Sequence, residues 1–269
     1  MDGDGCFCVL GPLRVTADGQ TVSIPAGKQR ALLATLLVNA NEVVPVGELV
    51  DRLWCEDLPD RPRRALHTLL TRLRRSLDGT GAGLGRHIRT TPGGYTIEIA
   101  PHHLDHMRFA ELTRRAQAAA DRGDTGAEAG LLTEALALWH GEPLADIESD
   151  CVRRDATPQL LEGWFKASER YHDVCLSLGR HHEIVGELRT LTVKYPFQEH
   201  RWSQLMIALH RCGRTGEALE AYAAVSHAFR DQLGVEPGER LRRLHVALLR
   251  DEAEPVPRGP MERYGHQAC

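Results

Sequence analysis

The sequence has no apolar run approaching the ~18 residues that cross a bilayer, so a helical membrane span is not expected. Its first residues, Met1-Asp2-Gly3-Asp4, are acidic and lack the basic-then-apolar pattern of a signal peptide. A cytoplasmic location is the expectation. No CxxC pair occurs among the seven cysteines, at 6, 8, 55, 151, 175, 212 and 269. Their odd count and irregular spacing point to reduced thiols, with neither a disulfide framework nor a zinc site. Fourteen histidines are scattered, and His102-His103-Leu104-Asp105-His106 has no second cluster to complete a metal site. There is no G-x-S-x-G, no H-E-x-x-H and no G-x-x-x-x-G-K-[ST]. The run Gly79–Gly85 (GTGAGLG) follows no strand and reads as a flexible connector rather than a nucleotide loop. An enzyme is therefore the weakest reading, and no cofactor is expected.

What is present is an ordinary charged fraction of 26% around an apolar fraction of 42%, in a chain of 269 residues, long enough for one or two domains. The net charge is −4, unlike that of a protein that coats nucleic acid. Its distribution is uneven: from Arg61 to Thr90 there are eight arginines against the single acid Asp78. That patch contains the stretch that organises the rest, Pro62 to Leu77. On a helix, Leu66, Leu69, Leu70, Leu73 and Leu77 form one stripe. Arg64, Thr68, Thr71 and Arg75 fall opposite, flanked by His67 and Arg72, with Arg63 and Arg74 nearer the stripe's edge. Guanidinium forks and small hydroxyls on the outer face suit a helix in a DNA major groove. The competing reading of that face is a solvated basic surface.

The context favours the groove. Phe7–Val15 and Gln20–Ile24 read as strands around an Asp18-Gly19 turn. Lys28–Asn39 reads as a helix, and Gly47–Trp54 as a second, shorter one. Cys55–Arg61 is an acidic loop, and the basic helix follows. Arg86–Thr90 and Tyr95–Ile99 form a hairpin around the four residues Thr91–Gly94. A helix-turn-helix reads DNA with its second helix, and a following hairpin reaches the adjacent groove or backbone. Arg86, Arg89 and Thr91 are placed for that contact.

After Pro101 the strand signals stop. Helices are expected at about 107–122, 125–139, 152–178, 181–194, 198–212, 215–233 and 239–250, with Gly or Pro at most junctions. Gly179-Arg180-His181-His182-Glu183 matches Gly213-Arg214-Thr215-Gly216-Glu217 at an offset of 34, the tetratricopeptide period. Val185, Leu188, Leu191 and Tyr195 map onto Leu219, Tyr222, Val225 and Phe229. Stacked helix pairs present a concave surface for protein contacts. The expected organisation is a DNA-binding domain over 1–100, a helical domain over 101–250 and a flexible tail or linker over 251–269.

The motifs LGPLRV, PAGKQRALLATLL, VPVGELVDRLW, ALHTLLTRLRRSL and PGGY resemble, in the same order, the Streptomyces antibiotic regulatory protein family. ALALWHGEPLADI, the Tyr195-Pro196 region and GRTGEALEAYAAVSHAFRDQLGVEPGERLRRLH resemble the bacterial transcriptional activation domain of the same family. The basic helix carries His67, Leu69 and Leu70 where the family typically has Gln or Asn and Val or an aromatic residue. The resemblance implies an α+β winged helix-turn-helix of OmpR type, with a four-stranded N-terminal sheet and a hairpin wing, followed by an all-α TPR-like domain. It also implies a transcriptional activator of antibiotic or secondary-metabolite genes. Such a protein binds promoter DNA at direct repeats, two copies head to tail as a dimer on DNA. It recruits RNA polymerase holoenzyme, through its sigma and alpha subunits, by way of the helical domain and the loop before the recognition helix, here with Glu56, Asp57 and Asp60. No receiver domain or ATPase module is present in this sequence. Two other readings stay open: a repressor or a ligand- or phosphorylation-gated regulator, and an adaptor whose repeats bind a peptide.

Overall fold

In the computed structural model, residues 5–55 and 57–250 are described. Three short antiparallel strands open the chain: β1 (Gly5–Cys8), β2 (Arg14–Ala17) and β3 (Gln20–Thr21), in that order, with Phe7 opposite Val15. The run Phe7–Val15, expected as one strand, is divided. At the break the carbonyls of Leu10 and Gly11 accept hydrogen bonds from the His140 and Leu144 amides, at 2.8 and 2.7 Å, instead of a neighbouring strand. The sheet has three strands among the described residues rather than the four the resemblance implied. Asp18 and Gly19 both take positive φ, 49° and 76°, the conformation of a tight turn that matches strand twist.

Helix α1 (Lys28–Val38) is central: every side chain from Ala31 to Leu37 is buried. A helix apolar all round belongs inside a core. Strand β4 (Val44–Pro45) leads into α2 (Val46–Trp54), which buries Leu49, Val50, Leu53 and Trp54. Helix α3 (Pro62–Leu77) follows, then strands β5 (Ile88–Thr91) and β6 (Gly94–Ile97), in a second sheet ordered β4-β6-β5. The hairpin turn is Pro92-Gly93 alone, because Thr91 pairs with Gly94. It is two residues tighter than the sequence suggested. Gly94 is required there: a Cβ would lie 2.0 Å from the Val44 carbonyl oxygen.

Helices α4 (Asp105–Asp121) and α5 (Thr125–Leu136) form a hairpin, and α6 (Asp150–Ser177) is the longest element at 28 residues. Between α5 and α6 the chain returns to the winged helix. Leu144, Ile147, Val152 and Ala156 join the core of α1, α2 and α3. Asp146 accepts the Leu13 amide and pairs with Arg30, and the Ser149 hydroxyl donates to the Arg52 carbonyl at 2.8 Å. Leu104 and Asp105 are tied in as well. The buried Asp105 carboxylate accepts the Val9 amide on both oxygens and the Leu10 amide on one, all at 2.9 Å. The glutamate of α5 that faces α6, Glu128, is 2% exposed and held in a two-point pair by Arg170. The chain thus folds into two compact units whose boundary falls inside α6, between Tyr171 and His172.

The second unit continues with α7 (His181–Lys194), α8 (Glu199–Arg211), α9 (Thr215–Leu233) and α10 (Glu239–Leu249). The repeat read from sequence is physical. Gly179 and Gly213 both take φ 74°, and two residues later α7 and α9 begin. Arg180 pairs with Glu183 as Arg214 pairs with Glu217. Val185, Leu188, Leu191, Val225 and Phe229 are buried. At its centre His172 lies 3.3 Å from Glu187 and, with the buried Arg201, holds that carboxyl below the usual range against the penalty of burial.

One sequence expectation is overturned. The cysteines are not all reduced: Cys55 and Cys151 form a disulfide across 96 residues. Neither belongs to a short-spaced motif, so only the fold brings them together. Cys6, Cys8, Cys175 and Cys212 are outside this disulfide, and Cys269 lies outside the described residues, as does the expected tail over 251–269.

Candidate nucleic-acid interface

Helix α3 forms because Pro62 suits its first position, where no amide hydrogen bond is lost, and because its leucines recur at helical spacing. Leu66, Leu70, Leu73 and Leu77 are at most 1% exposed, packed with α1 and α2. Burying each contributes about 1.5–3 kcal/mol, enough to fix the helix on its scaffold. Leu69, expected on the same stripe, is only partly buried at its edge.

The opposite face is open. Arg63, Arg64, His67, Thr68, Arg72 and Arg75 are all exposed, and Thr71 is half-buried. The Thr68 and Thr71 hydroxyls donate to the Arg64 and His67 carbonyls one turn back, at 3.0 and 2.9 Å. Their oxygens keep lone pairs to accept another donor. The helix has no acid in its first turn and no side-chain cap at Arg61. Pro62 has no N–H, and the Arg64 and Ala65 amides donate to the Arg61 carbonyl at 3.1 and 3.0 Å, so in this turn the Arg63 amide and the Arg63 and Arg64 guanidinium groups remain for a phosphate. An open cleft of about 540 Å³ lies there, floored by Val46, Gly47 and Val50 of α2 and rimmed by Arg61–Arg64.

Arg74, at the stripe's edge, has a different task. It donates to the Ile88 carbonyl at 3.0 Å and the Thr90 hydroxyl at 3.2 Å, joining α3 to the wing. Gly85 packs against the same turn: its amide donates to Asp78, and a Cβ would lie 2.7 Å from the Arg74 carbonyl oxygen. On the wing, Arg86 and Arg89 are exposed, and Arg89 pairs with Glu98 at 3.3 Å. The Thr91 hydroxyl donates to the Gly94 carbonyl at 3.1 Å, closing the turn. Arg74 thus ties α3, with its exposed arginines, to the strand that carries Arg89. Sequence periodicity located the helix face; it gave no signal for Arg74, whose role depends on β5.

In the loop between α2 and α3, Asp57 and Asp60 are exposed, while Glu56 lies outside the described residues. The loop starts from a fixed point, since Cys55 closes α2 and is bonded to Cys151. Among the described residues no three His, Cys, Asp or Glu side chains gather into a metal site, and no helix is long and apolar enough to cross a membrane.

A helix-turn-helix with a hairpin wing, joined to stacked helix pairs, defines a winged-helix transcriptional regulator with an activator-type helical domain. Residues 19–97 match the family described as transcriptional regulatory protein, C terminal, and residues 104–249 match the bacterial transcriptional activator domain. The chain is 34% identical to regulatory protein DnrI of Streptomyces peucetius over 247 residues, 90% of this chain and 91% of that one. It is 37% identical to regulatory protein AfsR of Streptomyces coelicolor, over 93% of this chain and 24% of that longer protein. The structure of Mycobacterium tuberculosis EmbR, solved with a low-affinity phosphopeptide, superposes with a TM-score of 0.85 at 32% identity, covering 94% of this chain and 66% of that one. The chain belongs to the Streptomyces antibiotic regulatory protein family of transcriptional regulators. These relatives are regulatory proteins, not enzymes.

Proposed function

We propose that the chain activates transcription in the cytoplasm by docking α3 in the major groove of promoter DNA carrying direct repeats, with the wing on the adjacent backbone. The observation that carries this is the outer face of α3, where Arg63, Arg64, His67, Thr68, Arg72 and Arg75 stand exposed with no acid between Arg61 and Ser76. Arg63, Arg64 and the helix N-terminus set the register on phosphates, and Arg72 and Arg75 read base edges. Thr71, half-buried, completes the helix side of the contact, with Arg86, Arg89 and Thr91 on the wing side. Two copies bind head to tail as a dimer on DNA. Asp57 and Asp60, with Glu56, meet a basic surface of RNA polymerase holoenzyme, and the helical domain adds contacts to its sigma and alpha subunits. The genes controlled are those of antibiotic or secondary-metabolite synthesis, a reading supported by the family.

The test is a mobility-shift titration on the chain's own upstream DNA across a salt series, with footprinting of the shifted fragment. One arginine chelating guanine is worth about 1–3 kcal/mol, so Arg75→Ala should weaken specific binding about 5- to 150-fold and leave non-specific binding nearly intact. Arg64→Ala should weaken all sequences alike and lower the salt slope by about one. Equal affinity in wild type and both variants would refute the groove assignment.

A further inference from the structure

The loop between α2 and α3 is held covalently at its first residue, and the chemistry around that bond is not that of an inert bridge. Cys55, at one end of the bond, is an exposed residue. Cys151 lies in the first turn of the 28-residue helix α6, with an Arg154 guanidinium nitrogen 3.6 Å from its sulfur. A helix N-terminus and a neighbouring guanidinium both favour a thiolate, which makes Cys151 a good leaving group and a good returning nucleophile.

Cys55 takes φ 46° and ψ −108°, a left-handed conformation that a residue with a Cβ adopts only when its surroundings impose it. Six residues on, Arg61 stands at the N-cap of α3 and gives it no side-chain cap. The other polar ties from this end of α2 to residues 149–155, the Ser149 hydroxyl and the Asp155 carboxylate, both attach at Arg52, a full turn earlier. They hold α2 whether or not the disulfide is closed; beyond Cys55 the chain keeps the local bond from the Asp57 amide to the Trp54 carbonyl, at 2.8 Å.

We propose that Cys55 and Cys151 are a reversible thiol–disulfide site for low-molecular-weight thiols and their disulfides, and that closing it fixes residues 57–61 and the first turn of α3. In reduction, a small thiolate attacks the Cys55 sulfur. The Cys55–Cys151 bond breaks, Cys151 leaves as a thiolate beside Arg154, and Cys55 carries a mixed disulfide. A second small thiolate attacks that mixed disulfide and leaves Cys55 reduced. Two thiols have then supplied two electrons and two protons and departed as their own disulfide. Oxidation is the reverse, driven by that small disulfide. The consequence for DNA rests on the groove-docking reading: with the site open, only part of the population presents α3 in the binding geometry, and apparent affinity falls by about three- to tenfold.

The experiment uses the full chain equilibrated with oxidised or reduced glutathione. Alkylation and peptide mapping report the bond, hydrogen–deuterium exchange reports residues 57–66, and a DNA titration runs in parallel. We expect a linked Cys55–Cys151 peptide in the oxidised sample, and exchange across 57–66 at least about threefold faster after reduction. Cys55→Ser and Cys151→Ser should each exchange like reduced wild type in either buffer, while Cys6→Ser behaves like wild type. Alkylation of both Cys55 and Cys151 in the oxidised sample would overturn the site, as would identical exchange with the bond open and closed. If exchange responds to the bond but neither form binds DNA, the site stands and the groove reading falls. Equal affinity in both redox forms would overturn the proposed consequence alone.

Discussion

Removing the Asp105 carboxylate tests the claim that the start of the helical region completes the winged-helix fold. Asp105 is 7% exposed and accepts the Val9 and Leu10 amides where the chain leaves β1. Asp105→Ala leaves both N–H groups buried without that acceptor, at about 1–3 kcal/mol each. Part of that cost is offset, because burial raises the Asp105 pKa against the pull of the amides, so the charged form is itself penalised in the folded chain. A net loss of about 2–4 kcal/mol is expected, and Asp105→Asn, which keeps one acceptor oxygen, should lose about half as much. The pH dependence has a definite sign. A carboxyl whose folded pKa is raised contributes stability that is fully present below its ordinary range and is lost as pH rises through the raised value. Wild type should therefore lose part of its advantage over Asp105→Asn as pH rises from the ordinary carboxylate range through the raised value. Urea unfolding at several pH values, with exchange rates at the Val9 and Leu10 amides, measures both effects. A loss below ~1 kcal/mol in Asp105→Ala, with those amides still protected, would refute the reasoning.

His106, the next residue, should act in the opposite direction: burial lowers its pKa to about 4 from 6.5, so stability present above 6.5 is lost as pH falls towards 4. The full shift corresponds to about 3 kcal/mol, and His106→Gln should flatten that limb of the stability–pH curve. Gly94→Ala would drive a methyl into the Val44 carbonyl and separate β4 from β6; we expect a loss above ~2 kcal/mol and DNA binding weakened through the wing, read by thermal unfolding and mobility shift. Leu70→Ala should cost about 2–5 kcal/mol by cavity formation under the recognition helix, measured by urea unfolding. Arg170→Leu would leave the Glu128 charge buried without its partner, and a loss of about 3–5 kcal/mol is expected in the same assay.

The helices were legible because each is declared locally. The stripe Leu66-Leu70-Leu73-Leu77 and the glycines at 179 and 213 state a period and a stop within a few residues of one another, and those boundaries stand within a few positions of where the sequence placed them. The outward arginines of α3 were legible for the same reason, as the complement of the stripe. What the sequence hid are partners about 95 to 135 residues apart: Asp105 with Val9, Asp146 with Leu13, Cys55 with Cys151. No local pattern encodes them, since the aspartates read as polar surface residues, Val9 and Leu13 as parts of a strand and the cysteines as ordinary thiols until the fold closes. Arg74 was hidden more subtly. Its position on the wheel is that of a groove reader at the margin, and only the arrival of β5 engages it with Ile88 and Thr90. The distinction matters for function. The residues proposed to touch DNA are local and were visible, whereas those that hold them in place are distant and were not. A change at Asp105 or Cys151, far from α3 in sequence, should therefore alter DNA binding through the scaffold, without altering which bases are preferred.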